Sequence, residues 1–199
     1  MVVLTAKDID LGGCLVHCLE GGDPAGRAVI LLHGMKFQAR TWRELGTLAL
    51  LAEAGLHVLA VDMPGFGQSP ADELAPVQVL HRLIDQLSLG PAVLIGPSMG
   101  GRIALEFALR YPQWLAGLVL VGAVGVEENR QGLATITAPT LIVWGGEDQV
   151  SPLTNSDILL AEIAGSQREI LAQAPHPCYL AQPDRWHACL RDFFTNLLQ

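Results

Sequence analysis

Ala92-Val93-Leu94-Ile95-Gly96-Pro97-Ser98-Met99-Gly100 is the segment from which the rest of the chain can be read. Ala92 to Ile95 is a continuous apolar run without alternation, the pattern of a strand buried on both faces. Gly100 to Leu109 reads as a helix that stops near Tyr111-Pro112, because the residue before a proline avoids the helical region. Between them lies G-x-S-x-G in the strand–turn–helix setting that this motif requires. The turn must be sharp and strained, so side chains at Gly96 or Gly100 would collide with neighbouring backbone. Such a turn lifts the Ser98 hydroxyl clear of a sheet. It also sets the Met99 amide at a helix start, where the N–H and the helix dipole face a substrate.

The same grammar repeats on either side. Val2 to Leu4 and Leu15 to Leu19 read as a hairpin turning at Gly12-Gly13, and Gly21-Gly22-Asp23-Pro24 reads as a loop. Ala28 to Leu32 and Val58 to Val61 are buried strands. Thr41 is positioned to cap one helix running to about Ala54, with Glu44 completing a capping box and Gly55 as the stop. Ala75 to Leu87 is helical, with Pro76 in its first turn and Leu80, Leu83, Ile84 and Leu87 in one stripe. Leu118 to Val121 and Thr140 to Trp144 are further strands. Ile158 to Ala164 is helical, Glu169 to Leu171 a short last strand, and Asp184 to Leu198 a final amphipathic helix. Strands alternating with helices predict an α/β fold, a three-layer sandwich with a mostly parallel twisted sheet and helices on both faces. Residues 1–199 are expected to form one domain, and ligands to bind at the carboxyl ends of the strands.

The totals narrow the function. Half of the residues are apolar and 16% are charged, which supports a sizeable core and argues against disorder. A formal net charge of −8 argues against nucleic acid, whose binding needs a basic surface, and against anionic membrane surfaces. No apolar run approaches the roughly 20 residues of a membrane span, and the first residues lack the basic-then-apolar layout of a signal peptide. Cys14, Cys18, Cys178 and Cys189 lack paired metal-binding spacing and read as reduced, mostly buried thiols of a cytoplasmic protein. No metal or cofactor is expected.

A serine hydroxyl becomes a useful nucleophile only when a base takes its proton, and a histidine base needs a carboxylate to hold its tautomer. After Ser98 only His176 and His187 remain. His187 falls inside the last helix and reads as a packing or surface residue. His176 follows the final strand in Ala174-Pro175-His176-Pro177, where two prolines stiffen the loop. The strand Thr140 to Trp144 runs into Gly145-Gly146-Glu147-Asp148, and either carboxylate is placed to serve, with position favouring Asp148. A second oxyanion donor must come from the loop after an earlier strand. Leu31-Leu32-His33-Gly34-Met35 fits, making the Met35 and Met99 amides the oxyanion pair. His33 reads as structural, Cys178 as packing, and Lys36 as a residue near the mouth of the site.

These motifs together resemble the α/β-hydrolase superfamily. The chain carries Leu32-His33-Gly34 followed by Trp42, Asp62-Met63-Pro64-Gly65-Phe66-Gly67-Gln68-Ser69, Gly96-Pro97-Ser98-Met99-Gly100, Trp144-Gly145-Gly146-Glu147-Asp148 and His176, in that order. The resemblance implies that Asp148 is the triad acid and that Asp62 and Ser69 are structural. A narrower likeness, in His33-Gly34-Met35-Lys36-Phe37, Leu45-Gly46-Thr47-Leu48 and His176-Pro177-Cys178-Tyr179-Leu180, is to the small hydrolase-domain proteins of group fourteen. That likeness implies ester hydrolysis or acetyl transfer, with coenzyme A as an acceptor, and a soluble, untethered form. Gln173-Ala174-Pro175 departs from the G-x-G that precedes the histidine in many hydrolases. Gly122 to Pro139, about twenty residues, is too short for a cap of several helices. A minimal or absent lid and a small acyl group such as acetyl are therefore expected. The expected reaction is hydrolysis of small acyl esters through Ser98, Asp148 and His176. The alternatives are transfer of the acyl group to a thiol such as coenzyme A, or a hydrolase-fold binding protein without turnover.

Overall fold

The computed structural model describes residues 3–198. Its centre is an eight-stranded sheet in the order β1-β2-β4-β3-β5-β6-β7-β8. The strands are β1 (Leu4–Asp10), β2 (Leu15–Gly22), β3 (Ala28–Leu31), β4 (His57–Val61), β5 (Ala92–Pro97), β6 (Leu115–Val121), β7 (Thr140–Gly145) and β8 (Gln167–Leu171). β1 pairs antiparallel with β2, and β2 with β4, while every pair from β4 through β8 is parallel. The helices are α1 (Ala39–Leu45), α2 (Thr47–Glu53), α3 (Pro76–Gln86), α4 (Met99–Arg110), α5 (Val126–Asn129), α6 (Leu153–Glu162), α7 (Cys178–Ala181) and α8 (Pro183–Leu197).

Alternate residues of the buried strands supply two separate cores, as a two-residue side-chain period requires. Ile30, Leu59, Leu94, Leu120 and Ile142 face α3, α4 and α6. Val29, Val58, Val93, Val119 and Leu141 face α1, α2 and α8. The inward stripe of α8 is Trp186, Leu190, Phe193 and Phe194, at helical spacing. β3 lies between β4 and β5, so the chain winds away from it in both directions. Such a switch point leaves a crevice beyond the carboxyl ends of the adjoining strands. The loops after β3 and β5 flank it.

Several boundaries differ from the sequence reading. Val2 lies outside the described residues, and the first strand runs from Leu4 to Asp10 rather than ending at Leu4. Lys7, Asp8 and Asp10 hide it from an apolar-pattern search, because edge strands carry charges that discourage further pairing. Gly21 and Gly22 are not loop but the end of β2, paired with Val58 and His57. The single helix expected from Thr41 to Ala54 is two helices, parted at Gly46, whose φ of 86° is left-handed. Gln38 is the N-cap, and Thr41 closes the capping box from the third helical position. The sixth helix starts at Leu153 behind Pro152 and ends before Ile163, which is extended.

The connection from β6 to β7 holds only the one-turn α5 and a 3₁₀ segment over Arg130–Thr135. No helical cap covers the carboxyl edge of the sheet among the described residues. No helix there is long and apolar enough to cross a membrane.

Candidate active site

At the end of β5 the backbone of Ser98 takes φ 52° and ψ −114°, a sparsely populated conformation for a residue with a side chain. Strain of this kind costs about 1–3 kcal/mol and persists only where neighbours enforce it. Here the Ser98 N–H donates to the Val121 carbonyl at 2.9 Å, and the Ser98 carbonyl accepts from Arg102 N–H at 3.0 Å and Val124 N–H at 3.3 Å. The small residues are needed sterically. A Cβ on Gly96 would collide with the Gly100 carbonyl, and one on Gly100 would stand 2.8 Å from the His33 carbonyl oxygen. Gly101 has the same constraint, 2.6 Å from the Ala123 Cβ. The five-residue motif omits Gly101, so sequence reasoning missed it.

The two acidic residues after β7 have different fates. Glu147 is exposed, whereas Asp148 is buried. Asp148 Oδ2 lies 2.7 Å from His176 Nδ1, and Oδ1 accepts the Val150 and Ser151 amides, each at 2.8 Å. Ser151 is pinned in turn. Its hydroxyl donates to the Ala123 carbonyl at 2.7 Å, and its carbonyl accepts Trp144 Nε1–H at 3.0 Å. The histidine loop is tied to the acid loop through Gly146 N–H to the Leu171 carbonyl and Glu147 N–H to the Ala174 carbonyl, both at 2.9 Å. Gly145 permits the approach, since a Cβ there would collide with the Ala174 and Pro175 carbonyls.

A carboxylate only accepts, so His176 Nδ1 carries the proton shared with Asp148 and the neutral ring keeps a lone pair at Nε2. Nε2 is buried and has no partner among the described residues. It does not hydrogen-bond to the Ser98 hydroxyl, but both residues line one cavity of about 510 Å³. Such contacts are often long before substrate enters and tighten in the complex.

Gly34, Met35 and Met99 line the same cavity. A Cβ on Gly34 would sit 3.7 Å from the Ser98 Cβ, so the loop after β3 passes directly over the serine. Neither the Met35 nor the Met99 N–H has an acceptor among the described residues. Both amides are left without an internal partner, a condition that the donors of an oxyanion site must meet. The remaining walls are mostly apolar: Phe37, Val124, Val150 and Pro177, with Lys36 beside them.

Other residues singled out from the sequence lie outside this group. His33 is buried, with Nδ1 2.9 Å from the Gly34 carbonyl and Nε2 accepting the Met63 amide at 3.1 Å. Burial pushes its pKa down, so the neutral ring stitches two loops together. Asp62 accepts the Ala39 amide at the start of α1 at 2.6 Å and the Gln68 amide at 2.8 Å. Ser69 donates to the Asp62 carbonyl and accepts the His17 amide. His187 Nε2 and Trp186 Nε1 both meet the Thr47 hydroxyl, at 3.0 and 3.1 Å. Cys178 is fully buried and its thiol is pushed up to about 12 by burial, with the Asp148 charge adding to it. All four cysteines are free.

Gly122 is a second residue of this region whose role the sequence reading did not see. Its φ is 51°, and a Cβ on it would lie 3.0 Å from Asp148 Oδ2 and 3.3 Å from His176 Nδ1 and Cε1. The only signal in the sequence is a glycine directly after a buried strand.

A family profile described as alpha/beta hydrolase fold matches residues 27–135. A rat protein named putative protein-lysine deacylase ABHD14B is 40% identical over 179 residues, covering 85% of this chain and 84% of that protein. Protein ABHD14A of zebrafish, Danio rerio, is 37% identical over 187 residues, covering 88% of this chain and 69% of its own length. A crystal structure described as a predicted CIB-like hydrolase from Thermoplasma acidophilum superposes with a TM-score of 0.95. It is 27% identical and covers 98% of this chain and 100% of that one.

Proposed function

The chain belongs to the α/β-hydrolase family, and from that premise we propose that it is a serine hydrolase cleaving small acyl groups through Ser98, His176 and Asp148. One observation carries the proposal. The Asp148–His176 pair, 2.7 Å apart, leaves His176 Nε2 without a partner among the described residues, and His176 lines the same cavity as the strained Ser98.

The chemistry follows from that arrangement. Ser98 Oγ attacks the acyl carbonyl carbon while His176 Nε2 takes the hydroxyl proton. Asp148 Oδ2 steadies the resulting imidazolium through Nδ1–H. The oxyanion accepts from the Met35 and Met99 amides, strengthened by the amino end of α4. His176 then hands its proton to the leaving oxygen or nitrogen. Water, with His176 again as base, releases the acyl group from Ser98. An open carboxyl edge without a cap supports short acyl groups over long ones.

The relatives named putative protein-lysine deacylase favour a specific second reading, in which the acyl group sits on a protein side chain. Met35 and Val150, 68% and 62% exposed at the cavity rim, give a macromolecular substrate an apolar surface to approach.

The test is fluorophosphonate labelling with mapping of the modified residue, followed by turnover of p-nitrophenyl acetate and an acetyl-lysine peptide. The adduct is expected on Ser98, and Ser98→Ala is expected to abolish turnover while staying folded. Full residual activity in Ser98→Ala, or no adduct on Ser98, rules the scheme out. Faster acyl-enzyme decay with an added thiol would mark a transferase instead of a hydrolase.

A further inference from the structure

The chain has only two lysines, Lys7 and Lys36. Lys7 is neutralised, its Nζ 2.7 Å from Glu20 Oε2 on the neighbouring strand. Lys36 makes no ion pair among the described residues, and it lines the cavity that holds Ser98 and His176. Among the described residues no carboxylate lines that cavity, and the Asp148 side chain, without exposed surface, is engaged by His176. Lys36 follows Met35 directly, so its side chain springs from the backbone one residue beyond a proposed oxyanion donor. An unpaired cation lining a mostly apolar cleft is notable in a protein of net charge −8, whose overall field repels anions.

Resting on the serine-hydrolase reading above, we infer that Lys36 selects substrates carrying an anionic group close to the scissile acyl bond, a carboxylate or a phosphate. Lys36 is exposed, so its charge acts on an anion near the cavity at the strength of a surface interaction. A neutral acyl group gains nothing from it. A cationic neighbour, such as an unmodified lysine or arginine flanking the acylated position, is disfavoured. The anion can lie on the acyl half, as in a dicarboxylic half-acyl group, or on the half that leaves.

Three substrate pairs, two of esters and one of acetyl-lysine amides, separate these cases in wild type, Lys36→Gln and Lys36→Glu. Mono-p-nitrophenyl succinate places the charge on the acyl half, against neutral p-nitrophenyl butyrate. 4-Acetoxybenzoate places it on the leaving half, against its methyl ester. An acetyl-lysine peptide flanked by glutamates is set against one flanked by arginines. The readout is the kcat/KM ratio, anionic over neutral or cationic, within each pair. Lys36→Gln is expected to lower the ratio about two- to fivefold in at least one pair, the size of a solvent-accessible charge interaction. Lys36→Glu is expected to lower it further, and the wild-type preference to fade at high salt. The pair that responds identifies which half carries the anion. Ratios that are the same in all three proteins overturn the inference while leaving Ser98 as the nucleophile. A wild-type protein inert towards every ester, with no fluorophosphonate adduct, overturns the serine-hydrolase reading itself.

Discussion

Asp148 has both carboxylate oxygens engaged: His176 on one, two backbone amides on the other. A carboxylate fixed this way cannot swing, so the imidazole it holds is fixed too. What lies beneath the pair is not a side chain but the bare Cα of Gly122. Gly122→Ala is expected to act in two separable ways. The left-handed φ costs about 1–2 kcal/mol of stability for any residue with a Cβ. The new methyl also presses on Asp148 Oδ2 and on the ring of His176, turning Nε2 away from Ser98. Misplacement of a reacting group by about 1 Å can cost two orders of magnitude in rate. The expected outcome is therefore a kcat lowered by about tenfold or more, with KM little changed and fluorophosphonate labelling of Ser98 slowed in parallel. A Gly122→Ala protein that loses stability but labels and turns over at the wild-type rate would assign the glycine to folding alone. That Ser98, Asp148 and His176 gather at one edge of the sheet was legible because each follows a strand end. Gly122 was not, because its role depends on space shared by segments far apart in the chain.

The elements that carry the site are held together by loops rather than by the strands themselves. His33, in the loop after β3, accepts the Met63 amide after β4, and Asp62 reaches from that same region to the first amide of α1. These bonds fix the loop that carries Met35 over Ser98. They also make the loop sensitive to acid. Burial holds the His33 pKa below its ordinary 6.5, so the unfolded chain takes up that proton before the folded one does. The His33 contribution to stability is therefore complete above about pH 6.5 and drains away as the pH falls below it, towards the lower folded pKa. Chemical-denaturation curves between about pH 7.5 and 5.5 should show stability declining on the acid side. His33→Gln, whose amide oxygen can still accept the Met63 N–H but cannot titrate, should show a shallower decline. Equal slopes in the two proteins would mean that His33 does not carry this dependence. The sequence reading gave most strands and long helices their places, because apolar runs and caps are local signals. It merged α1 and α2, since whether Gly46 ends a helix or merely weakens it is settled by what the next turn packs against. It also missed most of β1, whose polar residues face solvent at an edge.

At the scale of the molecule, the missing cap determines what the site can hold. In the two-sided core the sheet is covered on both faces, yet its carboxyl edge opens directly to solvent between the loops after β3, β5, β6, β7 and β8. That openness follows from one number legible in the sequence, the short connection between β6 and β7. The cavity has apolar walls in Phe37, Val124 and Val150, so the first carbons of an acyl chain gain from leaving water. A fully buried methylene is worth about 0.8 kcal/mol, roughly a fourfold gain in kcat/KM. Val150 is itself 62% exposed, so the wall it forms ends where solvent begins. Carbons beyond the first few have nothing to be buried against. In a series of p-nitrophenyl esters from acetyl to octanoyl, kcat/KM is therefore expected to rise over the shortest chains and then level off or fall. A rise sustained at about fourfold per methylene to octanoyl would require a closed acyl channel, which the carboxyl edge of this sheet does not form.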